Sequence, residues 1–311
     1  MRVLITGAFG NIGSATVAEL IRQGHQVRAF DLATPATQRA AARFQGHIEV
    51  QWGDIRDAAA VNKAVADCEA IIHLAAVIPP LSDEQPALAE AVNVGGTRNV
   101  IAAAQAQAAP PKMFLASSFD VFGPTMHLPP PRRVTDPVAP TNGYTQHKID
   151  CEGLIKQSGL RWIVGRFCDV PIARDPHPIM YEIPLDARFE VIHRADLGLA
   201  ITNVLTCDEA WGQTLLIGGG ARCQIRYRDY LFGMLNAMGI GALPEAAFTQ
   251  QPYCTDWLDT DYSQRLLQYQ RHSFDDIVRE IAAGLTWQRL AVSLLRPIVR
   301  RRLLKLSPYL T

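Results

Sequence analysis

In the first half of the chain, apolar residues fall into short unbroken runs separated by stretches with helical spacing. RVLIT (2–6), HQVRAFD (25–31), IEVQWGD (48–54), AIIHLAA (70–76), KMFLASS (112–118) and RWIVGRF (161–167) read as strands. Between them, helices are expected over 14–22, 56–67, 92–107 and 144–157. Strands that are apolar on both faces and alternate with helices imply βαβ units around a covered parallel sheet. The fold class expected is α/β, a doubly wound parallel sheet with a smaller C-terminal α/β part. Past residue 170 the pattern loosens. RDPHPIMYEIP (174–184) reads as a loop and HLPPPRR (127–133) as a rigid surface turn, while QTLLIGG (213–219) reads as a strand and 226–238 and 274–283 as helices.

At 311 residues the chain has ample length for a core, in one large domain or two joined ones. Formal net charge is zero, so no global field draws it to nucleic acid. The charge is uneven, however: no acidic residue follows Glu280, whereas Arg289, Arg296, Arg300, Arg301, Arg302 and Lys305 do. The segment 287–310 interleaves these cations with aliphatic residues, and Pro297 breaks any single helix through it. It fits a helix pair packed on its own domain, which is the favoured reading. Peripheral contact with a membrane surface and docking to a partner protein remain open. Cysteines at 68, 151, 168, 207, 223 and 254 form no CxxC pair and have no histidine cluster beside them. They are expected to be reduced thiols in a cytoplasmic protein, with no metal site. The chain enters a strand at once, without a leader pattern, and no apolar run reaches transmembrane length.

Two segments carry chemistry. The first is Thr6-Gly7-Ala8-Phe9-Gly10-Asn11-Ile12-Gly13, a GxxGxxG between a predicted strand and a predicted helix. Glycines there let backbone N–H groups and a helix N-terminus approach a pyrophosphate. Asp31 ends the next strand, where a carboxylate binds a ribose 2′-hydroxyl and repels a 2′-phosphate, favouring NAD over NADP. The second is GYTQHK (143–148), which puts Tyr144 and Lys148 one above the other on a helix. That spacing is common, and alone it fits an ordinary surface helix equally well.

With HLAA (73–76), VNVGGTRNV (92–100), LASSFDVFG (115–123), GRFCDV (165–170) and IHRADLG (192–198) in the same order, the chain resembles an extended short-chain dehydrogenase/reductase. This is the NAD-dependent epimerase/dehydratase group. The resemblance implies a Rossmann domain over 1–170 with contributions from about 192–206. A smaller substrate-binding part would span 171–284, and a basic amphipathic tail 285–311. It implies NAD as cofactor, a small-molecule substrate, and a homodimer formed through helices that include 92–107 and 144–157. Catalytic roles fall on Ser118, Tyr144 and Lys148. Cofactor contacts fall on Gly7, Phe9, Gly10, Asn11, Ile12, Gly13, Asp31, Leu32, Asp54, Ile55, Leu74, Ala75, Ala76, Asn93, Ser117, Tyr144, Lys148 and Phe167. Asp54 and Ile55 belong to the adenine end. In this scheme Tyr144 is the acid/base, its pKa lowered by the Lys148 ammonium and the cationic nicotinamide, and Ser118 positions the reacting oxygen.

The chain departs from the group in two places. Phe119 stands where sugar-nucleotide dehydratases have an aspartate, leaving Asp120 alone, so dehydration is not expected. Asp169 stands at an asparagine position, no Gly-Pro follows it, and only 27 residues separate it from Asp196. That is too little chain for the usual nucleotide-diphosphate pocket, so a smaller or more apolar substrate is expected. Met180, Tyr181, Ile183 and Phe119 either line its pocket or pack in the core, core packing being the simpler role. The function expected is hydride transfer at a secondary alcohol or ketone carbon by an oxidoreductase or epimerase. The alternatives are a nucleotide-sugar 4-epimerase with a shortened loop, and a non-catalytic NAD-binding regulatory or membrane-surface protein.

Overall fold

The computed structural model describes residues 1–172 and 177–310. Strands β1 (Arg2–Thr6), β2 (Gln26–Asp31), β3 (Ile48–Trp52), β4 (Ala70–His73), β5 (Lys112–Ser118), β6 (Trp162–Phe167), β7 (Arg188–Glu190), β8 (Thr214–Ile217) and β9 (Gln224–Arg226) build two sheets. The seven-stranded one has the order β3-β2-β1-β4-β5-β6-β8, all parallel. Helices connect and cover it: α1 (Asn11–Arg22), α2 (Pro35–Ala42), α3 (Ala58–Val65), α4 (Leu81–Glu84), α5 (Pro86–Glu90), α6 (Gly96–Gln105), α7 (Gly143–Gln157) and α8 (Arg194–Asn203). A second group, α9 (Tyr227–Ala237), α10 (Asp261–Leu267), α11 (Phe274–Gly284), α12 (Thr286–Leu294) and α13 (Arg296–Leu304), follows.

Period-two alternation within each strand feeds the two faces. On β1, Val3 and Ile5 join the core under α1 and α8, while Leu4 joins the one under α3, α6 and α7. Strand order reverses between β1 and β4, so the crevice at their carboxyl ends is the expected ligand position of such a sheet. A third cluster, around Tyr181, Phe189, Tyr227 and Phe248, holds the antiparallel pair β7–β9 and the later helices. Met180, Tyr181 and Ile183 are buried in it, and Phe119 in the first cluster, so all four pack in cores.

Three sequence readings need correction. Strand β8 is not part of the smaller C-terminal unit: it pairs with β6 as the edge of the main sheet, because its TLLI run buries against both. The expected loop over 174–184 contains a short helical turn at Pro178–Tyr181, and its residues 174–176 lie outside the described residues. Arg132, placed on a surface turn, is buried beside Asp256, 3.2 Å from its carboxylate. The structure also assembles what sequence spacing hid. His193, Asp196 and His272 bring ligand-type atoms within 4.8 Å of one another. Asp196 there accepts the N–H groups of Arg271 and His272 and the His272 ring, tying α8 to the segment before α11.

Gly198 sets how closely α8 approaches α1, since a Cβ on it would lie 2.9 Å from the Ala15 carbonyl carbon and 3.1 Å from Thr16 N. These are backbone atoms and cannot swing aside. Gly198→Ala is expected to cost about 1–3 kcal/mol by overpacking, read as a lower urea midpoint with an unchanged m-value.

Candidate active site

The glycine turn is shaped by contacts that exclude side chains. Gly7 has φ +66°, and a Cβ there would lie 2.9 Å from Ala75 Cα. A Cβ on Gly13 would run into the Gly7 carbonyl and Ala8. Gly10 faces open space apart from the Gly7 carbonyl at 3.5 Å. It is the N-cap of α1 and offers no side-chain cap, which leaves the N–H groups of the first turn directed at whatever binds there. Beneath the turn, Thr6 Oγ1 bonds His73 Nδ1 at 2.7 Å and accepts Ala75 N–H at 3.3 Å. Burial lowers the His73 pKa to about 3, so this histidine is a neutral structural bridge to Thr97.

Asp31 accepts N–H groups from Phe9 at 2.9 Å and Leu32 at 2.8 Å, which fixes its carboxylate beside the turn. Burial raises its pKa and these two bonds pull it back. Phe9 itself is buried, its ring 5.4 Å from that of Trp52. Trp52 and Leu32 each leave an apolar face in solvent next to Asp31. Sequence reading missed Trp52 because it ends a strand that looks like any other.

Several expected cofactor residues have their side chains committed elsewhere. The Asn93 amide clamps both backbone polar groups of Val77, at 2.7 and 2.9 Å, and so holds the loop after β4, where Leu74, Ala75 and Ala76 are half-buried. Ser117 donates to Glu152 at 2.7 Å. Phe167 stacks on Phe114 inside the sheet, 6.0 Å between centroids. Ile55 is buried against Gly96, and Asp54 pairs with Arg56 at 2.5 Å. Asn11 and Ile12 open α1, and Asn11 reaches a cleft of about 370 Å³ that also touches His193, Glu280 and Leu285.

Helix α7 begins with a capping box between Asn142 and Thr145, which fixes its first turn. Tyr144, in that turn, is 9% exposed, and Lys148 Nζ lies 5.5 Å from its ring centre. Lys148 Nζ donates to Ala116 O at 2.8 Å, at the carboxyl end of β5, and burial lowers its pKa. Ser118 ends β5, accepts Asp120 N–H at 3.3 Å, and makes a hydrogen bond that acts on Tyr144. The three residues expected to be catalytic therefore meet.

The electrostatics differ from expectation. The Tyr144 pKa is raised, first by burial and then by the charges of Asp120 and Asp169, with Ser118 opposing. Lys148 is not among the groups that bring it down. Burial pushes Asp120 to about 6 and, with the charge of Asp120 added, Asp169 to about 8. Tyr253, packed against the third cluster, feels both carboxylates, another residue that no local motif marks. These two carboxylates, Asp120 beside the departure at Phe119 and Asp169 itself a departure, govern the site's charge.

Residues 3–196 match the NAD dependent epimerase/dehydratase family. The chain belongs to that family. The 3β-hydroxysteroid dehydrogenase/Δ5→4-isomerase of Mycobacterium tuberculosis is 36% identical over 129 residues, covering 39% of this chain and 33% of that protein. The chain thus spans only about a third of that relative. The dTDP-glucose 4,6-dehydratase of Mycolicibacterium smegmatis is 28% identical, covering 77% of this chain and 78% of that one. A UDP-glucose-4-epimerase from Stenotrophomonas maltophila, solved with NAD and formylated UDP-arabinopyranose, superposes with a TM-score of 0.76 at 21% identity, over 94% of this chain and 99% of its own. NAD is the family's cofactor. The glycine cradle, the bare helix N-terminus and the oriented Asp31 fit it.

Two expectations follow. With Asp31 oriented, NADH is expected to bind several-fold tighter than NADPH in a fluorescence titration; the reverse order rules out the role given to Asp31. For Asp169, the native state keeps a proton between the ordinary carboxyl value of 3.8 and about 8, and the unfolded chain releases it. Native stability is therefore lost as pH rises through that window. Asp169→Asn removes the slope, so its melting temperature relative to wild type should rise steadily from acid to alkaline pH. A parallel pair of melting curves contradicts the raised pKa.

Proposed function

We propose that the chain is an NAD-dependent oxidoreductase acting at a secondary alcohol or ketone carbon of a small or apolar substrate. The convergence of Tyr144, Lys148 and Ser118 at the carboxyl end of β5, beside the glycine turn, carries this reading. NAD, when bound, supplies the hydride acceptor or donor. Tyr144 Oη exchanges a proton with the substrate oxygen, and Ser118 Oγ holds that oxygen in line. Lys148 is fixed by Ala116 O and presents its ammonium beside the phenol ring. In the electrostatic setting of Asp120 and Asp169, Tyr144 keeps its proton at neutral pH, the state that protonates an alkoxide as a carbonyl is reduced.

The substrate class rests on the short segment after Asp169: only 27 residues separate it from Asp196, too few for the usual nucleotide-diphosphate pocket, which favours a smaller or more apolar substrate. The hydroxysteroid relative, a dehydrogenase by name, agrees with an apolar one. Phe119, buried in the core, supplies no acid for elimination, which weighs against dehydration despite the dehydratase relative. A 4-epimerase is the second reading, favoured by the superposition on an epimerase over nearly the whole chain. The complete Ser-Tyr-Lys set weighs against a purely binding role.

Tyr144→Phe is expected to lower kcat by about 10²- to 10⁴-fold, with NADH affinity unchanged. Secondary alcohols and ketones are screened by absorbance at the nicotinamide band, and sugar nucleotides by product analysis, since an epimerase regenerates its cofactor. Undiminished turnover in Tyr144→Phe removes Tyr144 from the mechanism.

A further inference from the structure

Helices α12 and α13 are apolar on two sides. One side is spent on the fold: Val292, Val299 and Leu304 pack against the third cluster and Leu303 is buried in it. Polar contacts anchor the same side. Tyr181 Oη donates to Leu303 O at 2.8 Å, Ser307 Oγ to Ala247 O at 2.6 Å, and Arg296 Nε to Ile240 O at 2.9 Å. The helix pair is therefore held in place. Its outward side carries Trp287 (81% exposed), Leu290 (56%), Leu294 (85%), Leu295 (53%) and Ile298 (57%). Trp287, Leu290 and Leu294 fall at i, i+3 and i+7 on one face of α12, so exposed apolar side chains gather there in the manner of an interaction site.

Charge identifies the occupant. Arg289, Arg301, Arg302 and Lys305 are exposed, and among the described residues no salt bridge joins any of them to a carboxylate; no acidic residue follows Glu280. An open groove of about 450 Å³ lies between Pro297, Leu304 and Leu310, with Arg300, Arg301 and Lys305 around it. An apolar floor inside a basic rim matches a molecule with an acyl chain and a phosphate. A second copy of the chain fits less well, since a two-fold contact through this face would set the same cations against each other. We propose that the outward face of α12 and α13 docks on an anionic phospholipid bilayer. Trp287, Leu290, Leu294 and Ile298 enter the interface, and Arg301, Arg302 and Lys305 meet lipid phosphates. No helix among the described residues is long and apolar enough to cross a membrane, so the contact is peripheral.

The full chain is co-sedimented with vesicles of phosphatidylcholine alone and of phosphatidylcholine mixed with phosphatidylglycerol. Binding is expected to the mixed vesicles only. Arg301→Gln/Arg302→Gln should weaken it by about fivefold per charge removed, and Trp287→Ser/Leu294→Ser should abolish it. All four side chains are exposed, and unchanged NADH binding confirms that each variant is folded. Equal binding to neutral vesicles, or binding that neither variant alters, overturns the proposal. So does an absence of vesicle binding together with a dimer that Trp287→Ser/Leu294→Ser dissociates in sedimentation velocity, which assigns the face to self-association. The readout needs no turnover, so it stands or falls separately from the reaction proposed above.

Discussion

The site depends on one buried ion pair. Glu152 lies one helical turn after Lys148 on α7 and takes both Arg166 Nε and Nη2 at 2.9 Å. It also accepts Ser117 Oγ at 2.7 Å and pairs with Lys156 at 3.0 Å. Burial alone would raise its pKa, but Arg166, Ser117 and Lys156 together bring it below the ordinary range. Arg166 is on β6 and Ser117 on β5, so a single carboxylate pins α7 to the two strands whose ends carry the chemistry. A buried charge that loses its partner costs about 3–5 kcal/mol, so the three elements hold one register. That register puts Lys148 Nζ on Ala116 O and Tyr144 beside Ser118. The positions of Ser118, Tyr144 and Lys148 thus follow from a neighbouring carboxylate outside the trio.

How much of this the sequence revealed depends on range. Parallel strands, the glycine turn and the capped start of α7 are local, written in runs of apolar residues, in Gly7 and Gly13, and in Asn142 with Thr145. Those features were legible, as was the meeting of Ser118, Tyr144 and Lys148. The edge position of β8 was not, because Thr214–Ile217 is apolar like any covered strand and nothing local says which neighbour covers it. The side-chain commitments of Asn93, Ser117 and Phe167 were equally hidden. Each residue stands where a cofactor contact was expected, yet its partner lies 16, 35 or 53 positions away. Trp52 and Tyr253 show the converse, since Trp52 meets Phe9 and Tyr253 feels Asp120 and Asp169 through tertiary packing alone.

The charge of the site was half legible. Asp169 stood out as a departure and Asp120 as the acid left beside Phe119, and a smaller or more apolar substrate followed from Asp169 and the short segment after it. The effect of the two carboxylates on Tyr144 did not follow, because it turns on burial. In an exposed cleft, water would screen two carboxylates from a phenol. In this one the surroundings desolvate all three groups, Asp120 pushes Asp169 toward the protonated form, and both carboxylates push Tyr144 the same way. Lys148, which in isolation would favour phenolate, is drawn toward Ala116 O, Glu152 and Asp120 instead. An oxidised nicotinamide, when bound beside Tyr144, would supply a cation that favours its phenolate.

The chain's charge separation gives the tail a geometric consequence. Residues before 281 carry a net acidic excess and those after Glu280 only cations, so toward an anionic surface the body is repelled and the tail attracted. One orientation satisfies both. The root of the tail, Gly284 and Leu285, lines the same cleft as Asn11 of the glycine turn and His193. A bilayer contact made by α12 and α13 would hold the root of the tail, and the cleft wall it forms, near the lipid surface. For an apolar substrate that proximity would shorten the aqueous step, where each CH₂ exposed to water costs about 0.8 kcal/mol. A sugar nucleotide would gain nothing from such a position. The tail and the short segment after Asp169 thus favour the same proposed substrate class by independent routes.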